Sequence, residues 1–283
     1  MTERLPAFGD SGPVGVTDRA GEGTRPIAFV RGRPRLASGF GAAHESLRRY
    51  AELAPIAAVP PGREGRRVQY WSFADVAREQ DRETVDRLPV SYDVTVISPR
   101  PMGWERPKTH GHVHVRPGAR GAGFPEVYQV LEGRAGFLVQ DLVPGPASTL
   151  VVLVEARAGE TVVIPPLLHH VTISLGEDYL VTADAVCRAS SDEYGGLSAA
   201  HGMAYFIATD GRVRRNPAYR SAPALVRVDA QAWSEPIGAD LYGILVRAPD
   251  RLAWLCYPDA FAARFPALRE RTRAVVSQSA LGR

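Results

Sequence analysis

Between Val90 and Cys187, apolar side chains recur at every second position in short runs: "VSYDVTVISP", "THGHVHV", "EVYQVLEGRAGFLVQDL", "STLVVLVEA", "ETVVIPP", "HHVTISL" and "YLVTADAVC". The runs are rich in β-branched residues and separated by Gly or Pro turns, so they predict successive strands of an all-β sandwich or barrel. Outside this region the pattern changes. "AAHESLRRYAELA" from Ala42 has helical spacing, and "SFADVAREQDRETVDRL" places Ser72 as an N-cap with Asp75 three residues on, which predicts two covering helices. Beyond residue 220, "LVRVDA", "YGILVRA" and "LAWLCY" read as strands and "PDAFAARFPALRERTRAVVSQ" as an amphipathic packing or dimer helix. Residues 1 to about 25 are rich in Gly, Pro, Asp and Thr without a period, the pattern of a mobile arm or of an edge segment that docks late. The expected organisation is an N-terminal arm (1–42), a β domain (43–220) and a C-terminal strand and helix extension (221–283) packed on it.

A chain of 283 residues with 45% hydrophobic content can bury one substantial core. The formal charge of +3 is small, and the basic balance is read as arginine usage rather than a nucleic-acid surface. Lys108 is the only lysine, so imine chemistry would have to use it or a terminus, and that class is set aside. Cys187 and Cys256 lack a CxxC pattern and read as packing thiols in a reducing cytoplasm, with a disulfide between them as the alternative. No apolar run approaches the ~18 residues of a membrane span, and the start lacks a signal-peptide layout, so a cytoplasmic protein is expected.

Alternation on a strand puts His112 and His114 on one face, about 6 to 7 Å apart along the chain. Two imidazoles so placed suit a metal, and equally a solvated polar face. Glu126 enters the otherwise apolar "EVYQVLEG", where a carboxylate is costly to bury without a cation or donors. Farther on, "GETVVIPPLLHH" sets Gly159, Pro165 and His170 at fixed intervals.

H-x-H, then E-x6-G, then G-x5-P-x4-H is the two-part signature that this chain shares with the cupin superfamily. The resemblance implies a double-stranded β-helix, or jelly-roll barrel, with a few flanking helices. It also implies His112, His114, Glu126 and His170 as metal ligands. The gap from His114 to Glu126, "VRPGARGAGFP", is longer than usual and reads as a loop insertion at the mouth of the site. A narrower resemblance, over roughly residues 43 to 220, is to the cupin-type glucose-6-phosphate isomerases. It is carried by "TVISP", "KTHGHVH", "PEVYQVLEGRAGFLVQ", "AGETVVIPPLLHHVTISLGED", "DEYG", "HG" and "DGRVRRNP". In that family the metal and a glutamate at the Glu126 position move a proton between C1 and C2 of a sugar phosphate through a cis-enediol. Thr109, Gly111, Tyr128 and Tyr194 match family positions around the substrate.

The departures lie on the phosphate side. Asp192 stands where the family typically has histidine, Glu193 replaces an aspartate, and Val186 takes the place of a substrate-holding tyrosine. An acid at position 192 would repel a dianionic phosphate. The expected roles are therefore His112, His114, Glu126 and His170 on the metal; Glu126, Tyr128 and His110 in catalysis; and Thr109, Gln140, Asp192 and Tyr194 on substrate. His110 should share the ligands' face one residue pair farther along, either serving the site or exposed at the strand end. His169 should point away from the site, although a one-residue slip would exchange it with His170. Fe(II) is the expected ion, with Mn, Ni, Co or Zn as alternatives.

Three functions follow from this reading. The first is a mononuclear non-haem Fe(II) oxygenase using dioxygen on a small polar metabolite of specialised metabolism. The second is the isomerase itself, and the third a non-catalytic metabolite-binding cupin. The resemblance also implies a homodimer, while the charge balance and the apolar runs lead us to expect no nucleic-acid or membrane partner.

Overall fold

A computed structural model of the chain describes residues 25–118, 123–142, 147–268 and 270. Two sheets pack around one continuous hydrophobic core. The larger is antiparallel and runs, in spatial order, Thr161–Ile164, Glu126–Glu132, Leu180–Cys187, Val90–Ile97, Val68–Ala74 and His44–Arg49. The smaller runs His169–Ser174, Arg134–Gln140, Val151–Arg157 and Val226–Asp229, the last pairing in parallel. This is the expected cupin barrel. Near-continuous burial of strands 126–132, 151–157 and 180–187 accounts for their Val-rich composition, since both of their faces are covered.

Neither expected covering helix forms as read. His44–Arg49 is a strand, and the helical spacing after it belongs to a 3-10 helix, Tyr50–Ile56. That helix buries Tyr50, Leu53 and Ile56 at every third residue, the 3-10 period, and holds Pro55 without breaking. Ser72, read as an N-cap, lies inside strand Val68–Ala74, between Ser46 and Thr95 on the neighbouring strands. The chain then turns at Asp75, whose φ is 57° and whose carboxylate meets Arg188 at 2.6 Å. Only Arg82–Asp86 remains α-helical from the charged run.

At the C-terminal end, Val226–Asp229 is the strand foreseen in "LVRVDA". "YGILVRA" lies instead in helix Leu241–Arg247, capped by Asp240, whose Oδ1 accepts from the Gly243 N–H at 2.8 Å. "LAWLCY" falls mostly in the 3-10 helix Pro249–Leu255. Short apolar runs carry no period that separates strand from buried helix. The terminal helix is described over Pro258–Arg264; the end of that segment, from residue 271, lies outside the described residues. Of the expected N-terminal arm, residues 1–24 are also outside them. Ile27–Val30 and Arg33–Leu36 form a hairpin, and Phe40–Gly41 pairs with Ala77–Arg78, so residues 27–41 are docked structure. Cys187 and Cys256 are free and buried, with the Cys256 thiol 3.4 Å from the Pro89 carbonyl.

Strand Thr161–Ile164 is the edge of the six-stranded sheet, and the C-terminal segment covers it through side chains. Trp233 Nε1 donates to the Val163 carbonyl (2.7 Å), Ser234 Oγ accepts from the Val163 N–H (3.3 Å), and Thr161 Oγ1 accepts from the Ile237 N–H (3.0 Å). An open edge is thereby closed to pairing with other chains. Trp233→Phe keeps much of the packing but strands a buried carbonyl. It should lower the unfolding free energy by about 1–3 kcal/mol in urea denaturation.

Candidate metal centre

Three separate segments deliver the side chains of the centre. His114 comes from strand Val113–Val115, Glu126 from the start of the next strand, and His170 from the strand that opens the smaller sheet. His112 precedes its strand by one residue, and its backbone exchanges two hydrogen bonds with His170, at 3.1 and 2.9 Å. Gly111 makes that approach feasible. Its φ is +78°, and a Cβ there would lie 3.0 Å from the His170 carbonyl oxygen and 3.2 Å from Val171 Cβ. One donor atom from each of His112, His114, Glu126 and His170 falls within 4.8 Å of all the others.

The side chains are arranged for a cation. Glu126 is 2% exposed, and one of its oxygens, Oε2, lies 2.9 Å from His114 Nε2 and 2.8 Å from His170 Nε2. His112 Nε2 and His114 Nε2 face each other at 3.2 Å. Burial, reinforced by the two neighbouring imidazoles, pushes His112 down to about 3, so it presents a neutral lone pair. Burial would raise the Glu126 carboxyl, but His114 and His170 outweigh it and hold the group well below the usual carboxylate range. Burial likewise opposes a charge on His114, yet Glu126 and Asp192 override it and push His114 up to about 10. Three imidazoles and one carboxylate form a donor set suited to a divalent first-row ion, which takes the place of the His114 proton when it binds.

The slip between the adjacent histidines does not occur: His170 enters the cluster and His169 points away. Burial lowers His169 to about 4, and its Nε2 lies 3.9 Å from Glu193 Oε2. His110 is outside the cluster, because the turn at Gly111 ends the alternation that would have aligned three histidines. Its ring meets Tyr194 edge-on, with centroids 5.0 Å apart, at the mouth of the site. Asp192 and Tyr194 are also at the mouth. Asp192 Oδ1 lies 3.1 Å from His114 Nδ1, and Oδ2 accepts from the Tyr194 hydroxyl at 2.8 Å. Tyr128 faces inward with its hydroxyl 3.2 Å from His170 Nε2, and burial followed by the Glu126 charge holds it protonated.

Two expected substrate residues are engaged elsewhere. Gln140 donates to the Tyr219 hydroxyl at 2.6 Å and accepts from the Ala204 N–H at 2.8 Å, so its amide anchors the segment after residue 200. Thr109 Oγ1 accepts from the Thr172 N–H at 3.1 Å, tying the incoming chain to the His170 strand. Part of the long loop between His114 and Glu126, residues 119–122, lies outside the described residues.

Two acids escaped the sequence reading. Tyr128, Asp184 and Asp93 lie directly opposite one another on three adjacent strands, and so share a face beside Glu126. Burial raises Asp184 well above the ordinary range, with Glu126 and Asp93 adding to it, and burial also pushes Asp93 up to about 6. The signal was available: each is a carboxylate within an apolar strand, the criterion that singled out Glu126. Arg48 and Tyr70, set against His110 and Tyr194, were also missed: Arg48 lay in a segment read as a helix, and Tyr70 in the stretch before Ser72 that was assigned to no element.

The fold and this centre define a metal-binding cupin. The sequence profile of the glucose-6-phosphate isomerase (GPI) family matches residues 48–224, more than half of the chain, and the chain belongs to that family in its cupin form. No curated protein matches. Among solved structures, the Lactobacillus farciminis oxalate decarboxylase formate complex aligns at 17% identity and a TM-score of 0.30, over 41% of this chain and 28% of that one. Bacillus subtilis oxalate decarboxylase at pH 4.6 aligns at 15% and 0.28, over 41% and 25%. A recombinant oxalate oxidase in complex with glycolate aligns at 17% and 0.27, over 52% and 50%. The chain thus spans a quarter to a half of those structures, and the family assignment rests on the sequence match.

Because a cation must displace the His114 proton, apparent metal affinity should rise about tenfold per pH unit between pH 6 and 9. A competition titration with Mn(II) or Co(II) across that range measures it, and a flat profile would contradict the assigned ligand. Gly111→Ala, by forcing the 111 segment off His170, should weaken metal binding roughly 10–100-fold.

Proposed function

We propose that this protein is a metal-dependent isomerase that moves a proton between adjacent carbons of a small polyhydroxy carbonyl compound less anionic than a sugar phosphate. One observation carries the reading: in a chain of this family, a buried Glu126 adjoins two groups held protonated, Tyr128 and Asp184, so groups able to accept and to donate a proton lie side by side. His112, His114, Glu126 and His170 would hold the ion, which when bound supplies Lewis acidity that polarises neighbouring substrate oxygens. Glu126 takes the carbon-bound proton on the oxygen not shared with His114 and His170, and returns it to the adjacent carbon. Tyr128 gives its hydroxyl proton to the substrate carbonyl oxygen and takes one back from the adjoining substrate hydroxyl, so the oxygen-bound protons balance while the carbon-bound proton moves through Glu126. Asp184, kept neutral, lets Glu126 stay charged without a second anion beside it. The steps are redox-neutral.

Asp192 argues against the phosphate ester as substrate. It stands 40% exposed at the mouth and, because the His114 contact outweighs burial, remains ionised, so a dianion entering there meets a fixed negative charge. The same observation supports a second reading, an Fe(II) oxygenase acting on a small polar metabolite with the same four ligands.

Incubation in D2O with a panel of neutral aldoses and ketoses, without oxygen, tests the proposal. Deuterium should enter carbon only in the metal-loaded protein, and Glu126→Gln should lower the rate by about 10²–10⁴-fold. Turnover that strictly requires dioxygen would replace the isomerase with the oxygenase. Asp192→His should create or raise glucose 6-phosphate turnover, and no gain in a folded, metal-loaded variant would count against the substrate argument.

A further inference from the structure

The same sheet has a second, oppositely charged face. Strands 44–49 and 68–74 set Arg48 and Tyr70 against His110 and Tyr194 at the mouth, whereas Glu45, Leu47, Trp71 and Phe73 face the other way. There they floor an open groove of about 1030 Å³. Its lining holds eight arginines against two glutamates, an excess of six positive charges where the whole chain carries +3. The hairpin supplies Arg31, Arg33 and Arg35, and the turn at residues 62–67 supplies Arg63, Arg66 and Arg67.

Like charges gathered in one concavity repel one another, and partners within the protein relieve little of that repulsion. Arg67 pairs with Glu64 at 3.0 Å. Arg31, Arg33, Arg35, Arg63 and Arg66 are exposed and form no ion pair among the described residues. Arg31 adds an independent sign. It occupies the first position of the two-residue hairpin turn with φ 51°, followed by Gly32 at 71°, where glycine, asparagine or aspartate fits with less strain. A long basic side chain thus stands in a conformation that disfavours it, at the rim of the groove.

We propose that this groove binds an organic polyphosphate bearing one planar ring, of the nucleoside triphosphate class. Guanidinium forks brought into one groove by two separate segments suit several phosphates, each accepting paired N–H donors. The floor offers one aromatic patch, Trp71 beside Tyr179 with centroids 6.2 Å apart, and the Tyr179 hydroxyl ties it to the hairpin through the Gly32 carbonyl at 3.0 Å. One patch accommodates one base, whereas single-stranded nucleic acid is held by successive stacking platforms. A second copy of the chain related by a two-fold axis would bring arginines against arginines.

Calorimetric titration of the full-length protein with ATP, tripolyphosphate, adenosine and a short single-stranded oligonucleotide tests the assignment. ATP should bind more tightly than tripolyphosphate and compete with it, adenosine should bind weakly, and affinity should fall as salt rises. Arg33→Ala/Arg35→Ala and, separately, Arg63→Ala should each weaken ATP by about tenfold or more while unfolding temperature stays unchanged. His112→Ala should bind ATP as the parent does. The assignment is overturned if ATP fails to bind at millimolar concentration, or if the arginine variants bind it normally. It is equally overturned if tripolyphosphate matches ATP, or if the oligonucleotide binds more tightly than ATP, which would make the groove a nucleic-acid surface.

Discussion

A carboxylate enclosed in a β-barrel must have positive charge or hydrogen-bond donors beside it, and in this chain Glu126 is met by the His170 imidazole from the smaller sheet and the His114 imidazole from the short strand Val113–Val115. The constraint reaches well beyond four residues. Strand 126–132 must pair with 161–164 and 180–187 in the register that turns Glu126 inward, and Gly111 must let the His112 backbone dock on His170. A one-residue shift in any of these pairings would turn ligands out of the cavity. Closure of the sheet edge by Trp233, Ser234 and Ile237 serves the same register from the far side.

Two traces made the barrel strands legible: period-2 alternation where one face is half-covered, as in 90–97, and continuous Val-rich runs between Gly or Pro turns where both faces are covered. The candidate ligand set was legible through the cupin signature, and the structure brings those four groups together. Reading failed where length or polarity obscured the period. Strand 44–49 is mostly exposed, so its alternation carries no apolar trace, and the every-third-residue burial of Tyr50, Leu53 and Ile56 imitated an α-helix. Gln140 illustrates a different limit: an inward amide on a strand fits substrate or protein equally, and only the positions of Tyr219 and Ala204 decide. Asp93 and Asp184 each look like an isolated polar residue until strand pairing sets them side by side.

Charge is divided sharply between the two faces of one sheet. Inside, the ionised carboxylates Glu126 and, at the mouth, Asp192 stand against the imidazoles, with Asp184 held neutral beside Glu126. Outside, arginines gather on the hairpin and the turn after the 3-10 helix. An acidic cavity draws in a cation and disfavours an anionic substrate, while the basic exterior has the opposite preference. Both surfaces share strands 44–49 and 68–74, so Arg48 and Arg49, adjacent in sequence, serve different sides.

Anomalous diffraction from crystals of the full chain grown with Mn(II) or Fe(II) tests the central claim most directly. The account predicts one strong peak bonded by His112, His114 and His170 nitrogens and a Glu126 oxygen, at about 2.0–2.2 Å. A cluster that stays free of metal at saturating concentration, or an ion held by other side chains, would contradict it.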